Sequence, residues 1–132
     1  MSMIISIEVQ SDYLAVLVTG TFDLQIALDL LGKVLSASIQ HKLPRILVDY
    51  RELEGIPPSM IEDYIYAASG TQLVQKYIDV TGESPRLAYL APKTILKDGG
   101  YSDKVAATYG FSGAKKTTDL NEALEWLGVS EP

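Results

Sequence analysis

Residues 45–61 read RILVDYRELEGIPPSMI and contain the clearest signal for the fold. The first six form a short apolar run that predicts a buried strand. Residues 59–62, SMIE, match a capping box, in which a serine side chain caps a helix and a glutamate reaches back to the serine backbone. Pro57 and Pro58 restrict the backbone where the chain enters this helix, because proline suits a first helical turn and keeps the preceding residue extended. The stretch therefore predicts a strand, a loop and a helix in succession.

Strand and helix patterns alternate before this unit as well. Residues 3–9, MIISIEV, predict a half-exposed strand, whereas residues 13–20, YLAVLVTG, predict a strand that is apolar on both faces. The two are expected to form a hairpin. Apolar residues at helical spacing from Leu24 to Ile39 predict an amphipathic helix, with Thr21 or Asp23 as the cap at its start and His41 and Lys42 at its end.

The helix after Ser59 is expected to run to about residue 78. Its apolar positions change phase near Ser69 and Gly70, which predicts a bend or two consecutive helices there. The remaining pattern predicts a buried strand at 86–91, a loop at 92–100, a short helix at 102–109, a weak strand at 114–118 and a closing helix at 119–127 whose start resembles a capping box.

The predicted order is β-β-α-β-α-β-α-β-α, an α/β fold. Strands that alternate with helices imply right-handed crossovers and a mostly parallel sheet, with an antiparallel first strand at or near an edge. The length of 132 residues fits a single domain over 1–132. Because two of the strands are apolar on both faces, helices on both faces, a dimer partner or a ligand cavity must cover them.

The charge of the chain disfavours several classes of partner. With 17 acidic and 11 basic residues, the net charge is −6, which argues against nucleic acid and anionic membrane surfaces. No segment approaches the roughly 20 apolar residues of a membrane span, so stable membrane insertion is not expected. The chain has no cysteine, which excludes thiolate chemistry and fits a reducing compartment. We expect a cytoplasmic protein.

A functional site in this fold is expected at the carboxyl ends of the parallel strands. Loops at these ends contain the candidate binding residues Thr21, Phe22, Asp23, Pro57, Pro58, Met60 and Lys93, together with Ser59. Because these strand ends meet at one edge of the sheet, we expect the loops to share one neighbourhood.

Catalytic and metal sites have little support in the sequence. A Ser–His pair would need His41, the single histidine, whose helix places it near the opposite end of the sheet, where a cation suits the helix dipole. One histidine without cysteine does not make a transition-metal site. Residues 110–116, GFSGAKK, lack the spacing of a phosphate loop and are interpreted as a turn before a basic strand. We therefore expect no enzyme activity, catalytic residue, metal or cofactor.

Ser59 has two candidate roles. As a helix cap it would contribute about 1 kcal/mol to stability. As a switch it would carry a phosphate at a helix N-terminus, where free N–H groups tolerate an anion and where the modification would add a charge of about −2. Tyr64 and Tyr66 follow closely, and an aromatic ring with a polar tip suits either the margin of the core or a surface that contacts another protein.

Residues 46–61 also resemble, without a gap, the signature of the STAS domains, typified by bacterial anti-sigma-factor antagonists. In that signature an apolar strand leads through a loop reading D-S-S-G-L into a helix. Pro57 takes the aspartate position, Pro58 the first serine, Ser59 the second serine and Met60 the glycine. The second serine is the one phosphorylated in the antagonists, so the resemblance implies Ser59 as the candidate phosphorylation and switch residue.

Three further segments, VDYRELEG, RLAYLAP and TDLNEALEWL, are similar to the divergent SpoIIAA-like branch of that family. The resemblance implies a non-catalytic regulatory module that binds a protein partner, such as an anti-sigma-type regulator. The alternative is a small apolar-ligand or lipid-binding protein, because Sec14-type lipid-carrying domains share the fold. A homodimer is a further expectation, since a second copy would also cover apolar strand surface.

Overall fold

The computed structural model of the protein describes residues 3–56, 58–92 and 113–129. Its strands and helices follow in the order β1 (Ile4–Val9), β2 (Leu14–Thr21), α1 (Leu24–His41), β3 (Arg45–Glu54), α2 (Met60–Thr81), β4 (Arg86–Leu90), β5 (Ala114–Thr117) and α3 (Leu120–Leu127). The predicted short helix at 102–109 and most of the loop before it lie outside the described residues. The other predicted strands and helices are confirmed in type and order.

The five strands form one sheet with the order β1-β2-β3-β4-β5. As predicted, β1 pairs antiparallel with β2, and its register runs from Ile4 opposite Thr19 to Val9 opposite Leu14. The pairs β2–β3, β3–β4 and β4–β5 are parallel. The carboxyl ends of four strands therefore lie at the same edge of the sheet.

Helices cover both faces of this sheet. On one face α1 and α2 pack against alternate residues of the strands, and the shared core includes Leu31, Val74, Val16, Ile46 and Tyr89. On the other face α3 packs through Ala123, Leu124 and Leu127 against residues such as Leu47, Ala88 and Leu90. The two-sided apolar pattern of β4 is explained by this arrangement, because its successive residues belong to different cores.

The first helix, α1, follows its predicted stripe. Ala27, Leu31, Val34 and Leu35 are buried on the face toward the sheet. Of the two candidate caps, Asp23 is the N-cap, and its Oδ1 accepts a hydrogen bond of 3.0 Å from the backbone N–H of Ile26. The alternative, Thr21, is the last residue of β2.

The third strand is longer than predicted. The sequence pattern indicated residues 45–50, whereas β3 continues to Glu54. The additional residues pair with the end of β2, beyond a register irregularity between Leu17 and Thr19, and Thr21 faces Glu54 in the last pair. The prediction was wrong because this extension depends on backbone pairing between strands and carries no apolar alternation of its own.

Of the two outcomes predicted at Ser69 and Gly70, a division into two helices is wrong, because α2 runs unbroken from Met60 to Thr81, whereas a bend stays a prediction. Its buried residues, Ala67, Gly70, Val74 and Tyr77, form a single stripe at helical spacing. Gly70 belongs to the contact with α1, since a Cβ atom at this position would lie 3.2 Å from Leu31 Cδ2. The glycine therefore allows two helices to approach closely and does not break the helix.

Candidate functional site

Two of the predicted loops, those after β2 and β3, meet at the carboxyl edge of the sheet. Phe22, directly after β2, and Pro58, in the loop after β3, line the same recess. Thr21 lies close to the same loop, since a Cβ atom on Gly55 would be 3.1 Å from Thr21 Cγ2. The predicted residues Pro57 and Lys93 lie outside the described residues.

Ser59 caps α2 in the predicted way. Its Oγ accepts a hydrogen bond of 3.1 Å from the backbone N–H of Glu62. In return, Glu62 Oε1 accepts a hydrogen bond of 2.9 Å from the backbone N–H of Ser59. The capping box is therefore complete, and two of the backbone donors that a helix leaves unpaired at its start are satisfied.

The capping role leaves Ser59 accessible. Both Ser59 and its neighbour Met60 are exposed, whereas Pro58 is buried against the recess. The serine oxygen acts as an acceptor in the cap, so its own hydroxyl proton is not used there. The hydroxyl group is therefore exposed to solvent and keeps its proton available.

The recess beneath the start of α2 is lined by four aromatic residues, of which Tyr50 and Tyr89 were not identified from the sequence. We call it the tyrosine recess; Tyr50, Tyr66 and Tyr89 form its aromatic wall, with Phe22, Leu53 and Pro58 around them. The hydroxyl oxygens of Tyr66 and Tyr89 are 2.8 Å apart, and their rings meet edge to face with centroids at 6.1 Å. The Tyr50 ring lies 5.8 Å from that of Tyr89.

Burial changes the acidity of this group. The pKa of Tyr50 is raised well above its ordinary value, first by burial and then by the neighbouring Tyr66. The pKa of Tyr66 is also raised well above its ordinary value, first by burial and then by Tyr89. Both phenols are therefore neutral at physiological pH and suited to hydrogen bonding within the core, and neither is set up to act as a base.

The free space in the tyrosine recess is about 30 Å³, and since a single water molecule needs about 10–15 Å³ of such space, the recess has room for about two water molecules. At its rim, Lys116 Nζ lies 4.0 Å from Asp63 Oδ1, so a cation from β5 faces a carboxylate from α2. A recess of this size does not accommodate a lipid chain. The alternative function as a small apolar-ligand carrier gains no support from it and stays a prediction.

The contact between Tyr50 and Tyr89 depends on the register of two strands. Tyr50 and Tyr89 lie near the carboxyl ends of adjacent parallel strands, and Val48 is opposite Tyr89 in the register. Because residues two apart on a strand share a face, Tyr50 lies on the same side of the sheet as Tyr89. The register between the two strands was needed for that inference, and it is not contained in either segment alone.

A separate surface on the outside of α2 is apolar and exposed. Five large apolar side chains, four on α2 and Ile56 in the loop before it, have exposed fractions between 38% and 85%, and we call them the Ile61 surface: Ile56, Met60, Ile61, Tyr64 and Ile65. Ile61 and Ile65 are one helical turn apart, so they lie on one face of α2, away from the buried stripe. Of the two tyrosines weighed from the sequence, Tyr66 belongs to the core margin and Tyr64 to this surface.

The described residues contain no group of three or more His, Asp or Glu side chains placed to hold a metal ion. His41 is exposed in the last turn of α1, at the helix end where the sequence pattern placed it. Lys115 and Lys116 lie on β5, which is the basic strand expected after the glycine-containing turn. None of the helices in the described ranges has the length and apolar composition that a membrane crossing requires.

Solved structures with a similar backbone cover almost the whole chain. One is an anti-sigma factor antagonist from Mycobacterium paratuberculosis, with a TM-score of 0.58 and 15% sequence identity over 96% of this chain and 95% of that one. Another is an uncharacterised protein with a SpoIIAA-like fold from Shewanella loihica, with a TM-score of 0.50 and 26% identity over 95% of this chain and 93% of that one.

These likenesses confirm the predicted STAS or SpoIIAA-like resemblance at the level of the fold. A scan against protein-family models gives no match, and a search of curated proteins gives none either. The fold is therefore shared with an anti-sigma factor antagonist, whereas the sequence is strongly divergent.

Proposed function

We propose that this chain, which has a SpoIIAA-like fold, is a non-catalytic regulatory module that binds a protein partner of the anti-sigma-regulator type through the Ile61 surface. The observation that carries the proposal is the grouping of five exposed apolar side chains beside the exposed Ser59. Exposed apolar groups of this kind mark contact surfaces, since burying them against a partner removes apolar area from water.

The shape of this surface indicates the kind of contact. Met60, Ile61, Tyr64 and Ile65 occupy two successive turns of α2, and Ile56, 85% exposed, extends the surface onto the preceding loop. A partner helix or loop with an apolar face can pack along such a ridge. Aromatic residues and methionine are common in the centres of protein interfaces, which suits Tyr64 and Met60 as contact residues.

Ser59 is proposed as the switch of this surface. A phosphate there would lie next to Met60 and would add about −2 charge beside the carboxylate of Glu62. The added charge would have to be desolvated in an apolar interface and would displace the capping carboxylate. Phosphorylation is therefore expected to weaken partner binding, and Ser59→Asp is expected to weaken it in the same direction.

The proposal is tested by quantitative co-purification from cells in which the protein is naturally made. The parent is compared with Ile61→Asp and with the matched control Val80→Asp. Ile61 and Val80 are both 71% exposed on α2, but Val80 lies near its other end. We expect a partner to be retained by the parent and the control and lost from Ile61→Asp. Equal retention by all three proteins would contradict the Ile61 surface as the binding site.

The switch needs a separate comparison. The partner identified in this way is purified, and its affinity is measured for the parent, Ser59→Ala and Ser59→Asp by calorimetry. Weaker binding of Ser59→Asp alone supports control by charge. If both variants bind as tightly as the parent, Ser59 is a cap and not a switch.

A further inference from the structure

The first strand lies at an edge of the sheet with one neighbour. In the order β1-β2-β3-β4-β5, β1 pairs with β2 and with no other described strand. An edge strand presents backbone N–H and C=O groups that can pair with another strand. The six residues of β1, IISIEV, can therefore bind another strand through backbone hydrogen bonds as well as through side-chain contacts.

The two edges of the sheet differ in how well they are protected from such pairing. The opposite edge strand, β5, is four residues long and contains Lys115 and Lys116. Short length and lysine are both devices that prevent association between edges. By contrast, β1 contains neither lysine nor proline, and its register with β2 is continuous from Ile4 to Val9, without a bulge.

The side chains of β1 also leave apolar surface uncovered. Ile4 and Val9, at its two ends, have exposed fractions of 64% and 51%. Ile5 and Ile7 are partly buried and pack against the core shared with α1 and α2. The odd-numbered side of the strand is therefore an apolar row that continues the core to the edge of the sheet.

We propose that β1 pairs antiparallel with β1 of a second copy of this chain, which joins two five-stranded sheets into one across a two-fold axis. With the axis perpendicular to the sheet, residues that face each other across the pair point to the same side. Odd-numbered residues then face odd-numbered residues, so the apolar row of one copy meets the apolar row of the other in every allowed register. A second copy thus always brings apolar against apolar on the core side.

The charges of β1 are also compatible with pairing to a second copy of this strand. Glu8 is the only charged residue of β1. In the registers centred on Ser6 or on Ile7, Glu8 faces Ile4 or Ser6 of the second copy, so that no like charges are opposed. Only the register centred on Glu8 itself opposes two carboxylates, and that register pairs fewer residues. The strand is therefore self-complementary in the two registers of greatest overlap.

Two charged variants test the pairing. Ser6 and Glu8 are exposed, so changes at these positions leave the core of one copy intact. The double variant Ser6→Lys/Glu8→Lys opposes positive charges in both registers, and Ser6→Glu opposes negative charges in both. Either protein alone is expected to dimerise at least about tenfold more weakly than the parent, because opposed like charges cost more than about 1.4 kcal/mol. An equal mixture is expected to form a heterodimer.

The matched control is Val80→Lys/Glu83→Lys, which changes the net charge by the same amount at two exposed positions far from β1 along the chain. Dissociation constants are measured by sedimentation velocity, and native mass spectrometry identifies the heterodimer by its mass. The parent and the control are expected to be dimers of equal strength. A parent that stays monomeric at all concentrations overturns the proposal, as does undiminished dimerisation of the lysine variant or a mixture without heterodimer.

Discussion

The hydroxyl oxygens of Tyr66 and Tyr89 lie 2.8 Å apart, so a hydrogen bond joins the first half of α2 to β4 below the Ile61 surface. The helix that presents the proposed contact residues is thus fixed to the sheet by a polar contact as well as by apolar packing. Because a hydrogen bond between two phenol oxygens requires a proton on one of them, the attachment is lost if both rings ionise.

This dependence predicts a loss of stability in alkali. Burial raises the pKa of Tyr50 and of Tyr66 above the ordinary value of 10.0, so above about pH 10 the unfolded chain releases protons that the folded chain still holds. The stability contributed by each group is present below that pH and is lost as the pH rises. We expect the free energy of unfolding to fall by about 1.4 kcal/mol per pH unit for each of the two tyrosines.

Urea denaturation at a series of pH values checks this expectation, and Tyr50→Phe is the informative variant. Removing one titrating phenol is expected to make the alkaline slope shallower by about 1.4 kcal/mol per pH unit. Any hydrogen bond lost in Tyr50→Phe lowers the free energy of unfolding at every pH, including neutral pH. The loss of the titrating phenol changes only the slope above about pH 10. An unchanged slope in Tyr50→Phe would show that this phenol does not resist ionisation in the fold.

Two glycines in helices predict opposite effects of the same substitution. A Cβ atom on Gly32 in α1 would meet nothing within 4 Å, so Gly32→Ala is expected to stabilise the protein by about 0.5–1 kcal/mol through helix propensity. A Cβ atom on Gly70 would lie 3.2 Å from Leu31 Cδ2, and Leu31 is buried. Gly70→Ala is expected to lose that gain to crowding, and the larger Gly70→Val to cost about 1–3 kcal/mol.

Thermal and urea unfolding of the three variants provide the measurement, with Gly32→Ala as the control for intrinsic propensity. Equal stabilisation by Gly32→Ala and Gly70→Ala would mean that Leu31 can move aside without cost. The close approach of α1 and α2 would then not require glycine.

These glycines also show where sequence information ends. The helix α1 was predicted from the local spacing of its apolar residues, and the capping box at Ser59 was predicted from the local motif SMIE. The division into two helices predicted at Ser69 and Gly70 was wrong because the role of Gly70 depends on Leu31, which lies 39 positions earlier in the chain. Long-range neighbours decide whether a glycine ends a helix or packs against another.

The candidate site also contains residues that local sequence rules could place and residues that depend on long-range contacts. Phe22, Asp23 and Ser59 could be placed at the carboxyl edge because strand order and capping rules fix loops and helix starts. The tyrosine recess could not be predicted, since Tyr50, Tyr66 and Tyr89 come together only through strand register and helix docking. Met60 and, as one alternative, Tyr64 were predicted as contact residues, whereas the isoleucines of the Ile61 surface were missed, because apolar residues on a helix are expected to face the core and Ile61 faces solvent.

Hydrogen bonds of the buried Ser38, near the end of α1, predict that substitutions of Ser38 and of Tyr77 differ in cost. Ser38 Oγ donates a hydrogen bond of 2.6 Å to the backbone oxygen of Leu43, and it lies 2.7 Å from the Tyr77 hydroxyl. Since the serine proton is donated to Leu43, the Tyr77 hydroxyl is the donor to Ser38. Ser38→Ala then leaves the Leu43 carbonyl oxygen without its donor and the Tyr77 hydroxyl without its acceptor. Tyr77→Phe removes only a donor and leaves the bond from Ser38 to Leu43 intact.

We therefore expect Ser38→Ala to cost about 2–4 kcal/mol and Tyr77→Phe about 1 kcal/mol, as measured by urea unfolding. The double variant is expected to cost less than the sum of the two single variants, because the tyrosine donor that Ser38→Ala leaves unpaired is absent from it. Equal costs for the two single variants would contradict the assigned direction of the hydrogen bond.

The capping geometry at Ser59 allows its structural role to be separated from its proposed role as a switch. Ser59 Oγ accepts from the backbone N–H of Glu62, so Ser59→Ala is expected to lower the free energy of unfolding by about 1 kcal/mol. An aspartate side chain can accept the same bond and suits the positive end of the helix, so Ser59→Asp is expected to fold with nearly the stability of the parent. Urea unfolding at neutral pH measures both.

If Ser59→Asp is as stable as the parent but binds the partner more weakly, the added charge is the cause. If Ser59→Asp unfolds as easily as Ser59→Ala, the side chain does not cap the helix as the serine does, and weaker binding would then reflect a frayed helix start.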